Sequence, residues 1–157
     1  MTAILNLNKI LKELEKAKEN VDKIATKIQR EATFLALLKI TSHGRYTGSG
    51  PVGNPDLWKN PENAPENYTG GRHMANFRVK VSSIDTSTTK EIDKTGEISR
   101  QQIDNLDGLQ PYNIVWISNS LPYSYRVMEA GHSSQTPKGS ISITKAEVEQ
   151  EIKNKYS

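Results

Sequence analysis

The stretch ILNLNKILKELEKAKENVDKIATKIQREATFLALL, residues Ile4–Leu38, decides the architecture. Apolar side chains recur at threes and fours through Leu7, Leu11, Leu14, Ala17, Val21, Ile24, Ile28, Ala32 and Leu35. That is the period of an amphipathic helix, and Lys, Glu, Asp and Gln fill most of the other positions. Neither Gly nor Pro interrupts it. Charge pairing supports it only in part: Glu19/Lys23 is a favourable i,i+4 pair, whereas Glu13/Ala17 and Glu15/Glu19 are not. A helix this long is marginal in water by propensity alone, so its stripe needs cover along most of its length. The cover comes from the core of the same domain or from neighbouring subunits.

Beyond the helix, TSHGRYTGSGPVGNPDLWKNPENAPENYTGGRH, Thr41–His73, is dense in Gly, Pro and Asn and has no period. It reads as a long loop, and a loop of this length in a compact domain is functional or disordered. Trp58 and Tyr68 argue for function, because large rings in a loop find a pocket in their own chain or in a partner. NFRVKVSSI, Asn76–Ile84, alternates like a half-buried strand, and DTSTTKEIDKTGE follows as a turn or extended arm. Ile98–Leu109 carries a weaker helical pattern that ends at Gly108 and Pro111. NIVWIS, Asn113–Ser118, predicts a second, more apolar and hence more central strand. Pro122 opens a short helix that runs to Gly131, and SISIT, Ser140–Thr144, alternates like a third strand. Thr144 and Glu147 have capping-box spacing for a final helix.

The order predicts an α+β fold: a long N-terminal amphipathic helix packed on a small β-sheet, with short additional helices and a long loop that orders on assembly. The 157 residues suit one domain, with the long helix over 1–40, the loop over 41–75, and the sheet, short helices and C-terminal helix over 76–157.

Composition narrows the function classes. Cysteine is absent, which excludes a disulfide framework, a thiol nucleophile and a thiolate metal site. A net charge of +3 from 21 basic and 18 acidic side chains describes a nearly balanced surface with weak bulk attraction to nucleic acid. No apolar run reaches the roughly 20 residues of a membrane span, and the start does not read as a signal peptide. The hydrophobic content of 34% is low for a compact globule and fits surfaces that are buried only in an assembly.

Three chemical readings attach to particular residues. Glu129 and His132 have the E-x-x-H spacing of di-iron carboxylate bundles, but those sites need a second pair and further carboxylates. His132 with Ser133 and Glu129 has the side-chain types of a small hydrolase, without a G-x-S-x-G elbow. Lys9, Lys12, Lys16, Lys23, Lys27 and Arg30 on the long helix would suit a nucleic-acid-binding module, yet Glu13, Glu15, Glu19, Asp22 and Glu31 are interleaved with them. No phosphate-binding loop or dinucleotide fingerprint is present, and neither a cofactor nor a metal is expected.

Two stretches, taken together, resemble one family. PVGNPDLWKNPENAPENYTGGRHMANFRV, Pro51–Val79, is similar to the proline, tryptophan and double-glycine signature, followed by a strand, of tailed-bacteriophage neck and tail-completion proteins of the HK97 gp10-like group. ISNSLPYSYRVMEAGHSSQTPKGSISIT, Ile117–Thr144, resembles that family's strand, N-x-x-P-Y, E-x-G-x-S-x-Q-x-P-x-G and closing strand. The resemblance implies a structural virion protein of the neck, made in the host cytoplasm and assembled as a sixfold ring between head connector and tail, without catalysis. It implies as partners other copies of the chain, head–tail connector or adaptor proteins, and tail terminator or tail tube proteins. DNA would pass only as cargo, and no membrane is involved. The implied assembly interface comprises Trp58, Tyr68, Arg72, Asn119, Pro122, Tyr123, Tyr125, Glu129, Gly131, Ser133, Gln135 and Pro137.

Overall fold

A computed structural model describes residues 7–41, 60–63, 66–67, 70–131 and 136–157. Helix α1 spans Leu7–Thr41, strand β1 Arg78–Val81, helix α2 Glu97–Gln101, strand β2 Val115–Ser118, helix α3 Ser124–Met128 and helix α4 Ser140–Tyr156. Short 3-10 turns lie at Pro61–Asn63, Met74–Asn76 and Gln102–Leu106. The fold is α+β: a long N-terminal helix with a small antiparallel sheet and shorter helices.

β1 and β2 pair antiparallel, with Arg78 opposite Ser118, Val79 opposite Ile117, Lys80 opposite Trp116 and Val81 opposite Val115. The inner face carries Val79, with Val81, Val115 and Ile117 packed around the core. The other face keeps Trp116 exposed, as is Ile114 just before the strand. β2 is therefore not the central strand its composition predicts: part of its apolar content points outward, and among the described residues the sheet has two strands.

The core gathers Leu37 and Ile40 from α1, Phe77 and Val79 around β1, Leu106 and Leu109 from the 3-10 turn and its exit, and Met128 from α3. α1 reaches it with Thr33, Leu37, Ile40 and Thr41, a face next to the predicted stripe and not the stripe itself. Thr33 and Thr41 are tolerated there because their hydroxyls donate to the Gln29 and Leu37 carbonyls one turn back. Polar clamps fix the same half of the helix. The Gln29 amide donates to the Asn113 carbonyl and accepts from the Tyr112 N–H, and Arg30 donates to the Leu106 carbonyl at 2.8 Å. On its other flank lies α4, held by Lys39 with Glu147 and Glu151 and by Glu31 with Lys155 and Tyr156. Ile28, Ala32 and Leu35 are half-buried, whereas Leu7, Leu11, Leu14, Val21 and Ile24 are exposed. The first half of α1 is thus an arm outside the core.

The predicted third strand, SISIT, is the first turn of α4. Ser140, Thr144 and Val148 are buried and stand four apart, the spacing of one helix face, while Ile141 and Ile143 are exposed. For the same reason Thr144 does not cap the final helix but lies inside it. The weaker pattern from Ile98 resolves into α2, which begins at Glu97, and the 3-10 turn that follows.

Candidate functional site

The two stretches that carry the family resemblance meet at His73. The Asn119 side-chain amide donates to the His73 carbonyl at 2.8 Å, and His73 Nε2 lies 3.0 Å from Ser124 Oγ. The imidazole stands edge-on to Phe77, with centroids 5.4 Å apart, and tilted against Tyr123 at 6.0 Å. Burial in this setting pushes the His73 pKa down to about 4, so the ring is neutral at pH 7. Tyr123 is raised by burial, against the opposing charge of Arg72.

Local structure explains how the first stretch reaches this point. Gly71 has φ +85°, and a Cβ there would lie 2.8 Å from the Asp93 carbonyl oxygen. The glycine lets its carbonyl accept from both the Ala75 and Asp93 N–H groups, which closes the turn against the chain ahead of α2. Asp93 then organises the start of α2: Oδ1 accepts from the Thr95 and Gly96 N–H groups at 2.9 and 2.7 Å, and Oδ2 accepts from Ile98 N–H at 2.9 Å. Buried Asn76 ties the same turn to the extended arm, donating to the Arg72 and Thr89 carbonyls and accepting from Thr89 N–H at 2.7 Å. Arg72 itself is exposed and reaches the Thr89 carbonyl with Nε at 3.4 Å.

The second stretch forms a joint between α3 and α4. Gly139 occupies the N-cap position of α4 and has no side chain with which to cap it. Glu129 does this from a distance: its Oε1 accepts from Ile141 N–H at 2.6 Å and Ser142 N–H at 3.3 Å, the bonds a local Ser or Asp would make. The Glu129 carbonyl accepts from Gly139 N–H at 3.2 Å, and Ser140 Oγ donates to the Pro137 carbonyl at 2.9 Å. Glu129→Ala is expected to cost about 1–2 kcal/mol, and Glu129→Gln, which keeps the acceptor and loses the charge, roughly half that. Urea denaturation checks the loss, and faster amide exchange at Ile141 and Ser142 locates it.

The predicted site residues fall into separate places. Asn119 and Tyr123 gather at His73, with Pro122 exposed beside them; Glu129, Gly131 and Pro137 belong to the α3–α4 joint; Tyr125 is 72% exposed and points away from the core. Trp58, Tyr68, Ser133 and Gln135 lie outside the described residues, as does His132. The hydrolase reading therefore keeps only Glu129 on described ground, and its carboxylate is engaged at α4. Sequence reasoning missed His73 and Ser124, whose partnership spans 51 positions. A third group to orient the base is what a nucleophilic serine would require, and among the described residues no carboxylate bonds the His73 ring. Nor do the described residues contain a cluster of three His, Asp or Glu side chains able to hold a metal.

Next to Asn119 and Ser124 an apolar cleft of about 320 Å³ opens between α1, β2 and α4, lined by Ile40, Phe77, Ile117, Ile141 and Val148. Charge enters its lining through Lys145 and Glu149. Among the described helices, none is long and apolar enough to cross a membrane. In comparisons with protein-family models, curated proteins and solved structures, no match to this chain emerges.

Proposed function

We propose that the chain is a structural subunit of a tailed-bacteriophage neck, a tail-completion protein that joins head to tail as part of a homo-oligomeric ring and catalyses nothing. The observation that carries the reading is the meeting of the two resembling stretches: Asn119 and Ser124 of the second bond to His73, beside the double glycine and Arg72 of the first. Residues of the two stretches that build one internal junction belong to one structural unit, and Glu129 likewise works at a joint between two helices.

Exposed large side chains supply the second support. Tyr112, Ile114, Trp116 and Tyr125 are all exposed, as is the apolar stripe of the α1 arm. Aromatic anchors of this kind dominate interface energies, and a ring closes when one face of each subunit fits the other face of its neighbour. Trp58 and Tyr68 serve the same docking role from the long loop, against adjacent subunits or the next ring, with DNA passing through the channel as cargo.

The test is the phenotype of a phage whose copy of this gene is disrupted. DNA-filled heads and free tails that fail to join are expected, with joining restored by the wild-type chain and reduced by Trp58→Ala. Normal joined particles made without the chain, or mature particles that lack it by mass spectrometry, would sink the proposal.

A further inference from the structure

We infer that the α1 arm, Leu7–Ile24, is a self-association element: arms from more than two copies of this chain pack in parallel as a helical bundle. The arm is about 26 Å long at 1.5 Å per residue. Leu7, Leu14 and Val21 stand seven residues apart, with Leu11 and Lys18 between them and Ala25 after Val21, at alternating steps of four and three. That 3.5-residue repeat keeps a seam facing a partner helix. Ile28, Ala32 and Leu35 continue it into the half of α1 flanked by α4, where the seam is half-buried, so the exposed part extends a surface the chain already uses for helix packing.

The width of the face sets the number of copies. Ile10, Ala17 and Ile24 add a third apolar row beside the seam, and Ile10 and Ile24 are exposed. A two-stranded seam needs two rows; three rows suit a helix with neighbours on two sides. Charge sets the direction. Glu15 and Asp22 occupy the opposite flank of the seam. Antiparallel arms would bring these acidic flanks together, whereas parallel arms set each against the neighbour's apolar row. In parallel register the Lys18 layer is also bracketed by the neighbour's Glu15 and Asp22 carboxylates, about one turn away on either side. A single lysine in such a seam fixes register and copy number.

The inference deepens the ring reading without sharing its fate. A bundle formed by a chain that phage particles lack would remove the proposed function alone; arms that stay apart in a chain found at the neck would remove the bundle alone.

Because the chain has no cysteine, Leu7→Cys in the full-length protein introduces a unique thiol at the end of the arm. Oxidation is expected to yield mostly disulfide-linked pairs, since parallel arms place the two thiols in one layer. Light scattering of the wild-type chain should give a mass above twice 17.6 kDa. Leu14→Glu with Val21→Glu should return a monomer whose unfolding midpoint matches that of the wild-type chain at concentrations where it is dissociated, because both side chains are exposed. Three results overturn the inference. One is a wild-type chain that stays monomeric at its solubility limit, as when a different protein or an anionic lipid vesicle covers the arm. Another is an oligomer that withstands the double substitution. The last is an oligomer in which Leu7→Cys fails to cross-link, the outcome for antiparallel arms or for an arm seated in a neighbour's apolar cleft.

Discussion

Leu37→Ala is expected to lower the unfolding free energy by about 2–5 kcal/mol, while Leu14→Ala, in the same helix, changes it by no more than about 0.5 kcal/mol. Leu37 has no exposed surface and packs with Phe77, Val79, Leu106 and Met128 in the core cluster. Its truncation removes transfer free energy and leaves a cavity that β1 and the 3-10 turn after α2 cannot fill without moving. Leu14 is 61% exposed, so its truncation opens no cavity within the chain. Urea denaturation of both variants, at concentrations where the chain is monomeric, measures the difference. Equal losses would mean that the domain packs on the heptad face of α1 and would overturn the described core.

That contrast shows what was legible in the sequence. The helix itself is plain from its period, and the structure carries its C-terminal end three residues beyond Leu38, to Thr41. Which face meets the core was not plain. The stripe through Leu7, Leu14 and Val21 is the more regular one, yet the core takes Thr33, Leu37 and Ile40. Two polar residues on the buried face disguise it, because their hydroxyls are satisfied one turn back and so need no solvent. Both strands are legible, β1 from its alternation and β2 from its apolar run, although the outward placement of Ile114 and Trp116 depends on a sheet of two strands among the described residues.

The first turn of α4 reads as a strand for a different reason. Over five residues a period of two and a helical step of four both pair Ser140 with Thr144, and the β-branched Ile and Thr favour a strand. What selects the helix is Glu129, whose carboxylate caps it from 12 positions upstream at Ile141. The five residues of SISIT by themselves do not contain that information. The site shows the same limit. Asn119, Glu129, Gly131 and Pro137 stand out as motif positions, but the Asn119 bond, and the role of His73 as the meeting point of two stretches, follow from the pairing of β1 with β2, and the Glu129 bonds from the fold of α3 against α4.

His73 gives the second large effect, as a dependence of stability on pH. Its folded pKa is pushed down to about 4 from 6.5, chiefly by burial. Between these values the unfolded chain binds a proton that the folded chain refuses, so stability rises with pH across the window and is lost as pH falls through it. At about 1.4 kcal/mol per pH unit, the loss from pH 6.5 down to about 4 is on the order of 3 kcal/mol. The buried carboxylate Asp93 acts in a lower window. Burial opposes its ionisation, but the N–H groups of Thr95, Gly96 and Ile98 outweigh burial and hold its pKa below 3.8, so its contribution persists at pH 4 and fades only further down. The two windows separate the groups. His73→Phe replaces the ring with one that cannot titrate, and the Asn119 bond survives because it ends on the residue 73 backbone carbonyl. The variant is expected to abolish the slope between pH 6.5 and 4 and to keep the steeper loss below it. Urea midpoints measured across this range decide the matter, with an NMR titration of the His73 ring beside them. A ring that titrates near 6.5, or a wild-type slope that His73→Phe leaves intact, would show that the imidazole is solvated and that the junction between the two stretches is open.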